Sequence, residues 1–480
     1  MSVTVVNVVC TISGLIFFYY LQKFLYQCYT LRAFRGPLAV PLLGNCYTGE
    51  ALLLLRYLAT LRKRYGRMFT FFAFTKPYLV TCEPAAVRRV LSDTKVFVKG
   101  PDYTELFGLA FGQGLVTSNG DKHKGDRAIL GRFFIRSSIA KSMESFNTIV
   151  KGAIAEEFDS HIATGKTSFS CNIEEFNAIM ALRLFMNITM GERDTKEREI
   201  TLAKIVSKGS YEMGRVVGLG LPTYDFIPSV KYCRNVRNII FNFFLPFVEV
   251  RRAKIDAKEE VPDDILTALL VNNLSAEEIK DHVVTLMCAG HDTTAFFSSY
   301  LCYLLATNEA SQELLRQEIY TVIGDRDVVT ADDCAEMKYL QKVMQETLRL
   351  YSIIPAVTRV ATEEVYIKEA DLTIPKGATL MIPMFLINRD PDLWENPSEF
   401  NPERFEGRGD FTSAKHGFFP FGYGSRTCIG NTLAQLETTT FLCHLLRRYR
   451  LKPQPGFKPA IMSGISLTTS NGIEVVIERI

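Results

Sequence analysis

The longest uninterrupted apolar stretch of the chain lies near its N-terminus. Residues 3–22 carry no charged side chain, and the basic residues Lys23 and Arg32 follow before the first acid, Glu50. A helix of this length spans about 30 Å, the thickness of the hydrocarbon core of a bilayer. The pattern predicts a single transmembrane helix at residues 1–23, and the basic flank predicts that the rest of the chain lies in the cytosol. A cleaved signal peptide is the alternative, but it would need a basic n-region and small residues at a cleavage site.

Beyond this stretch the pattern changes to a short segment of helix breakers. Two glycines and two prolines lie within residues 36–44, which excludes a helix or a central strand there. We interpret residues 24–45 as a stiff Pro-rich hinge. Residues 46–480 then form one catalytic domain, because no later linker and no internal repeat is visible.

Apolar positions recur with the spacing of a helix face over most of this domain. The predicted helices lie at residues 141–159, 172–190, 195–217, 233–258, 275–305, 309–322 and 336–351. Two aromatic and β-branched runs, 68–74 and 78–82, predict a hairpin with its turn at Lys76 and Pro77. The pattern indicates a fold class that is mainly α with small β-sheets.

The helix predicted at residues 275–305 differs from the others, because apolar residues occur on nearly all of its faces. A capping-box pattern formed by Ser275 and Glu278 marks its start. A helix of this kind lies in the interior of a protein. Residues 289–294, Ala-Gly-His-Asp-Thr-Thr, are unusually polar for such a place, and a buried aspartate needs a partner or a chemical role.

Composition narrows the classes of function. The 480 residues are 47% hydrophobic, which supports a large core and excludes intrinsic disorder. Lys and Arg number 55 against 52 Asp and Glu, so the net charge of +3 excludes a dedicated nucleic-acid-binding protein. The 11 cysteines include no Cys-x-x-Cys pair, which argues against zinc ribbons and thioredoxin-like motifs and favours reduced thiols.

One cysteine has a sequence environment unlike the others. Cys428 follows Arg426 within a glycine-rich segment, residues 421–430, and a helical pattern begins directly after it. The N-terminus of that helix contributes positive potential, which favours an ionised sulfur. Such a thiolate could serve as a nucleophile or as an axial ligand to haem iron, and Arg426 could pair with an acidic group of a cofactor.

This segment resembles the haem-binding signature of the cytochrome P450 superfamily, F-x-x-G-x-R-x-C-x-G. The matching residues are Phe421, Gly424, Arg426, Cys428 and Gly430. Further family motifs follow the expected order, namely A-G-x-D-T-T at 289–294, E-x-x-R at 346–349, P-E-R-F at 402–405 and the Pro-rich segment at 37–44. The resemblance is to eukaryotic, membrane-anchored microsomal members and covers essentially the whole chain. It implies the cytochrome P450 fold, preceded by the single N-terminal transmembrane helix.

The resemblance implies haem, iron protoporphyrin IX, as the cofactor. Cys428 would be the proximal thiolate ligand of its iron. Asp292 and Thr293 would lie on the opposite side of the haem and guide protons to bound dioxygen. In the family this helix segment often departs from regular α-geometry. An ordinary threonine that bonds back to a helix carbonyl is the alternative for Thr293.

The resemblance also implies two sets of supporting residues. Glu346, Arg349 and Arg404 would form a buried ion-pair triad that positions the cysteine loop. The partners of the haem propionates would be Arg127, Arg359, Arg426 and His123. His123 is a departure from the family pattern, because tryptophan is usual there, although an imidazole also donates a hydrogen bond. A solvent-facing histidine is the alternative.

Four residues would line the substrate pocket: Phe107, Phe111, Ala289 and Val357. Together with the predicted anchor, they favour a lipophilic substrate, sterol-like or fatty-acid-like, that enters from the membrane. Plain core packing is the alternative for each of them.

The implied function is a haem-thiolate monooxygenase that activates O₂ with NADPH-derived electrons to hydroxylate or oxidatively demethylate its substrate. The sequence contains no flavin or nicotinamide fingerprint, so a separate NADPH–cytochrome P450 reductase would supply the electrons, with cytochrome b5 as a second candidate partner. The expected location is the endoplasmic reticulum membrane. The alternatives are a haem-thiolate peroxide isomerase, which needs no proton relay, and a non-catalytic haem-binding sensor.

Overall fold

The computed structural model describes residues 3–46, 54–163, 165, 167–191, 195–218, 221, 223–407 and 417–480. The α-helices are α1 Val3–Thr30, α2 Leu54–Tyr65, α3 Pro84–Ser92, α4 Gly108–Phe111, α5 Gly120–Gly131, α6 Arg136–Ile139, α7 Met143–Ile154, α8 Ser160–Ala163, α9 Ile173–Met190, α10 Lys196–Gly218, α11 Pro228–Asp256, α12 Ile265–Val271, α13 Ala276–Thr307, α14 Glu309–Ile323, α15 Ala331–Glu336, α16 Lys338–Leu350, α17 Met384–Ile387 and α18 Asn431–Leu446. The strands are β1 Met68–Ala73, β2 Lys76–Thr81, β3 Phe97–Val98, β4 Ser168–Asn172, β5 Val357–Ala361, β6 Val365–Ile367, β7 Leu372–Ile374, β8 Thr379–Ile382, β9 Tyr449–Pro453, β10 Ile461–Ser463, β11 Leu467–Thr469 and β12 Glu474–Arg479. The prediction of a mainly helical fold with small sheets is confirmed.

Helix α13 runs through the interior, because other elements cover nearly all of its surface. It packs against α9, α10, α11, α16 and α18 and against strands β9 and β12. Its first turn has the predicted capping box, in which Glu278 N donates to Ser275 Oγ at 3.2 Å and Ser275 N donates to Glu278 Oε2 at 3.0 Å. The helix is α-helical along its whole length, so the expected departure from regular geometry at Asp292 and Thr293 is wrong.

The other long helices lie close to where their apolar spacing predicts them, as at α9, α10, α14 and α16. The predicted start of a helix at residue 233 is wrong, since α11 begins at Pro228. Proline suits the first helical position, because its missing N–H would have no partner there and its φ is already helical.

The largest sheet has the strand order β1-β2-β8-β5-β3, with β2 and β8 parallel. The β1–β2 hairpin is present, but the predicted turn at Lys76 and Pro77 is wrong, because both residues lie in β2. The chain reverses two residues earlier, at Phe74, which has a φ of +51°. Smaller sheets have the orders β4-β12-β9, β10-β11 and β6-β7.

The N-terminal residues form α1, as the uncharged stretch predicts for a helix. Within the described part of the chain, however, no helix is both long enough and apolar enough to cross a membrane, so the predicted transmembrane anchor is not confirmed. The Pro-rich segment follows and pairs with the sheet: Thr70 N donates to Arg35 O at 2.8 Å, and Gly44 forms a β-bridge with Ala73. This segment is therefore attached to the edge strand β1.

Candidate active site

Cys428 lies in a tight loop directly before α18. Its backbone N–H donates to Phe421 O at 2.8 Å, which closes the loop. Gly424 has a φ of +74°, and a Cβ at this position would lie 2.9 Å from the Cα of Ser92 in α3. Glycine is thus required here both by the backbone conformation and by the approach of α3. Gly430 is the N-cap of α18, so the cysteine precedes the helix N-terminus closely.

The groups around the Cys428 sulfur have opposite effects on the pKa of its thiol. Desolvation raises the pKa of the Cys428 thiol, whereas the Gly430 N–H and the Arg127 guanidinium lower it, and the net shift is upward. This outcome contradicts the expectation that the helix N-terminus leaves the sulfur ionised. A protonated thiol is a poor nucleophile, but binding to a metal ion deprotonates a thiol ligand. The raised pKa therefore gives no support to a free nucleophile and is compatible with a metal ligand.

Four cationic side chains gather beside this loop from separate elements. Arg426 comes from the loop itself, Arg127 from α5 and Arg359 from β5. The fourth, Lys99, follows β3 and reaches the cluster because Val98 pairs with Val360. Sequence analysis missed Lys99, because only this long-range strand pairing brings it to the site.

The hydrogen-bond partners of these cations are neutral oxygen atoms. Arg127 donates to Thr427 O at 2.8 Å, Arg359 to Thr358 O at 2.7 Å, Arg426 to Asn119 Oδ1 at 3.2 Å, and Lys99 to Val116 O. Among the described residues none of the four forms an ion pair, and Nη1 of Arg426 is buried without a hydrogen-bond partner. Burial and the charges of Arg359 and Arg127 lower the pKa of Arg426 to about 10.

Such a cluster fits a ligand that carries two negative charges. Like charges held close together in a partly buried site repel one another unless an anion joins them. The two propionates of a haem whose iron is bound by Cys428 meet this requirement, since guanidinium groups bind carboxylates in a bidentate manner. The donor set of this loop and cluster therefore fits the haem that the sequence resemblance implies.

His123 lies within the same cluster rather than in solvent. It is buried on α5, and burial together with Arg426, Lys99 and Arg127 lowers its pKa to about 3. The ring is consequently neutral at physiological pH and can donate one hydrogen bond without adding a further positive charge. This position excludes the solvent-facing alternative.

The predicted ion-pair triad is assembled and buried. Glu346 accepts from Arg349 Nε at 2.7 Å and from Arg404 Nε at 2.9 Å. Arg349 has no exposed side-chain area, and it also donates to the carbonyl groups of Asn388 at 2.9 Å and Pro397 at 2.7 Å. These bonds hold the segment after α17 against α16.

Comparison with known proteins identifies the family of this chain. A family model for cytochrome P450 matches residues 34–475. The chain belongs to the cytochrome P450 family. Cytokinin hydroxylase of Arabidopsis thaliana is 28% identical to it over 88% of this chain and 83% of its own length, and cytochrome P450 4d2 of Drosophila melanogaster is 27% identical over 92% of each. Taurochenodeoxycholic 6 alpha-hydroxylase of Sus scrofa is 30% identical over 54% of this chain and 53% of its own length.

As a cytochrome P450, the protein is a haem-containing monooxygenase, and its relatives include hydroxylases of eukaryotes.

The side chains of Asp292 and Thr293, which are adjacent in the family motif, point to different surroundings. Thr293 Oγ1 donates to Ala289 O at 2.7 Å, as in the alternative of an ordinary helix threonine. Asp292 is buried, and its Oδ2 accepts hydrogen bonds from Ser210 at 2.9 Å and from Ser466. The structure gives no hydrogen bond between Asp292 and Thr293.

The four predicted pocket residues lie on four elements, namely the π-helical turn Asp102–Phe107, α4, α13 and β5. Phe107 and Phe111 belong to a row of parallel rings in which Tyr103 and Phe107 are 5.0 Å apart and Phe107 and Phe111 are 6.0 Å apart. Ala289 is exposed although most of α13 is buried, and it shares a helix face with the half-buried Thr293. Val357 precedes Arg359 by two residues on β5, so the two side chains lie on the same face of the sheet.

The aromatic row connects the cationic cluster to the central helix. At one end, Lys99 Nζ lies 4.7 Å from the centre of the Tyr103 ring and Arg359 Cζ lies 5.8 Å from it. At the other end, Thr285 Oγ1 of α13 donates to Phe111 O at 3.4 Å. The buried Asp102 starts the π-helical turn Asp102–Phe107 and accepts from Thr358 at 2.9 Å, which ties the row to the sheet. The row therefore forms an apolar wall beside the cluster.

Proposed function

We propose that this cytochrome P450 takes electrons from NADPH through a separate reductase and hydroxylates or oxidatively demethylates a lipophilic, sterol-like or fatty-acid-like substrate. The observation that carries the proposal is the cationic cluster beside the Cys428 loop. The loop supplies a sulfur ligand, and the cluster supplies binding groups for two carboxylates from residues that lie far apart in the sequence. Haem bound there would activate O₂ with two electrons. One oxygen atom would enter the substrate and the other would form water.

The chain's own residues divide the remaining work. Cys428 binds the iron, and Arg127, Arg359, Arg426 and His123 orient the carboxylates of the cofactor. The hydroxyl of Thr293 lies on the half-buried face of α13 and can pass a proton, while the buried carboxyl of Asp292 can hold one. Burial raises the pKa of Asp292 to about 6. An acid whose pKa lies near the working pH can both take up and release a proton.

The nature of the pocket wall supports the proposed substrate class. The row of Tyr103, Phe107 and Phe111 offers apolar ring faces, and Ala289 leaves room on the central helix. The name of the Sus scrofa relative records hydroxylation of a taurochenodeoxycholic substrate. A sterol-like or acyl substrate would bury its apolar surface against this wall.

Attachment to the endoplasmic reticulum membrane is part of the same proposal. Helix α1 carries exposed apolar and aromatic side chains, among them Leu15, Ile16, Phe17 and Phe18. Such a surface is suited to lipid, and the basic residues after it suit the cytosolic side. The partner that this location implies is the membrane-bound NADPH–cytochrome P450 reductase, with cytochrome b5 as the second candidate.

The experiment begins with the purified, reduced protein under carbon monoxide. We expect a strongly red-shifted Soret band, which Cys428→Ala should abolish and which the matched control Cys46→Ala should keep. A band typical of histidine-ligated haem in the wild type would contradict thiolate ligation. NADPH consumption with purified reductase, followed by titration of sterols and fatty acids read by the haem spin state, then tests turnover and substrate class. Haem binding without NADPH consumption under any substrate would indicate a sensor instead.

A further inference from the structure

The carboxyl group of Asp292 is held by hydroxyl groups from two other parts of the molecule. Ser210 of α10 donates to Oδ2 at 2.9 Å, and Ser466, in the turn between β10 and β11, donates to the same oxygen. The two serine hydroxyls are themselves 3.1 Å apart. All three side chains are buried, so water does not replace these bonds easily.

The backbone brings α10 and the β10–β11 turn unusually close at this point. Ile465 N donates to Ser210 O at 3.3 Å. One helical turn further along α10, a Cβ on Gly214 would lie 2.3 Å from the backbone of Gly464. Only glycine at position 214 allows the helix and the turn to touch, so the contact that places both serines is built into the backbone.

The β10–β11 hairpin is fixed to the interior by further bonds. Thr469 donates to Glu174 of α9 at 2.6 Å, and the Tyr300 hydroxyl of α13 donates to Leu467 O at 3.2 Å. The turn that carries Ser466 is therefore held in one place relative to α13. Its hydroxyl meets Asp292 without the entropy cost of ordering a free loop.

We propose that Ser210 and Ser466 are positioning residues that orient the Asp292 carboxyl and join α10, the β10–β11 turn and the central helix into a clamp adjacent to Thr293. The inference rests on the proposed monooxygenase function, in which Asp292 holds a proton. In the clamp, both serine hydroxyls donate to Oδ2 of Asp292. The other oxygen, Oδ1, is buried and has no hydrogen-bond partner among the described residues, so proton exchange uses this atom.

The electrostatic consequence of the clamp has a definite sign. Burial raises the pKa of Asp292 to about 6, while the bonds from Ser466 and Ser210 lower it. The ionisable groups that face Asp292 are Glu174 from α9 and Cys288 from α13. Burial raises the pKa of both, and the charge of Asp292 raises it further. The side chains that α10 and the turn direct at the carboxyl are the two serines. Loss of either serine hydroxyl therefore raises the pKa of Asp292 further.

The test measures product formed per NADPH as a function of pH in Ser466→Ala and Ser210→Ala. If the ionised carboxyl is the active form, the acid limb of the profile moves to higher pH; if the protonated form is active, the basic limb moves to higher pH. Either way we expect the midpoint to rise by about one pH unit, which corresponds to the loss of one hydrogen bond to a charged group. Ser466→Thr should restore the wild-type midpoint, and Asp292→Asn should remove this limb from the profile.

Ser470→Ala is the matched control, because it also removes a serine hydroxyl from the end of this hairpin. That hydroxyl is exposed and donates to Ala460 O at 3.5 Å rather than to Asp292. The midpoint of this variant should equal that of the wild type. An unshifted midpoint in both Ser466→Ala and Ser210→Ala, or an equal shift in Ser470→Ala, would overturn the proposal.

A second measurement does not depend on turnover. Hydrogen–deuterium exchange in α10 around Ser210 should accelerate in Ser466→Ala and in Gly214→Ala, which separates the helix from the turn without removing a hydroxyl. Unchanged exchange in both variants would refute the clamp. Failure of the monooxygenase function would instead appear in the wild type, as a missing red-shifted band or missing NADPH consumption, and the exchange result would still decide the structural part.

Discussion

Two polar sites that the family motifs single out are built in opposite ways. In the ion-pair triad, Glu346 and Arg349 lie three residues apart on α16 and bond directly to each other. On the central helix, Asp292 and Thr293 are adjacent and share no bond. Helix geometry explains the difference, because side chains three or four residues apart face the same direction and neighbouring ones diverge by about 100°.

The comparison shows that an adjacent pair in a helical motif serves two surroundings at once. Thr293 lies on the same face as the exposed Ala289, whereas Asp292 faces α10 and the β10–β11 turn. The triad consolidates one local structure, whereas the Asp–Thr pair connects the face of α13 that carries Thr293 to α10 and the β10–β11 turn. Substitutions in the triad should therefore mainly lower the stability of the protein, whereas substitutions at the Asp–Thr pair should mainly change its activity.

The largest effect on stability is expected from Glu346→Gln in the triad. The change leaves Arg349 and Arg404 buried without a negative partner, and breaking such a pair costs about 3–5 kcal/mol. Urea unfolding followed by circular dichroism measures the loss. The control is Lys342→Gln, which removes a nearby cation whose partners Glu403 and Glu406 are 56% and 76% exposed. Exposed pairs contribute about 0–1 kcal/mol, so equal losses in the two variants would contradict the assigned difference in burial.

The sequence predicts the two sites unequally. The ten-residue cysteine segment and the triad can be predicted from the sequence, because their residues are close in the chain or belong to a motif. The cations Arg127, Arg359 and Arg426 follow from the family pattern. Lys99 depends on the pairing of β3 with β5, which no local pattern records. The partners of Asp292 are 82 and 174 residues away in sequence. Periodicity describes which face of a helix is buried, but it does not identify what covers that face.

A similar limit applies to turns and helix ends. Lys76-Pro77 has the composition of a turn, yet the chain reverses at Phe74, a bulky residue at positive φ. The register of β1 against β2 decides the position of the reversal, and the sheet overrides the local preference. By contrast, the capping box at Ser275 was predictable, because its two residues interact with each other.

A smaller effect is expected where the central helix packs on α9. A Cβ at Gly290 would lie 2.2 Å from the ring of the buried Phe185, so Gly290→Ala should overpack this contact. Overpacking costs about 1–3 kcal/mol, and the gain in helix propensity returns about 1 kcal/mol of it. Gly152→Ala in α7, where a Cβ meets no atom within 4 Å, should instead stabilise the protein. Opposite signs of the two changes in the free energy of unfolding support the packing argument, and a stabilising Gly290→Ala would refute it.

The smallest effect on stability, and the clearest effect on chemistry, is expected from Thr293→Ala. The bond from Thr293 Oγ1 to Ala289 O is additional to the backbone bonds of α13, which the substitution leaves in place, so stability should change by less than about 1 kcal/mol and haem should remain bound. If Thr293 delivers protons as proposed, the variant should use the two electrons of NADPH to reduce O₂ with two protons to hydrogen peroxide instead of oxidising the substrate, with product per NADPH falling about tenfold or more. Thr293→Ser keeps the hydroxyl and should keep the yield. The fall in Thr293→Ala should be similar at every pH, whereas loss of Ser466 should move the pH midpoint; an unchanged yield in Thr293→Ala would show that Thr293 is only an ordinary helix residue.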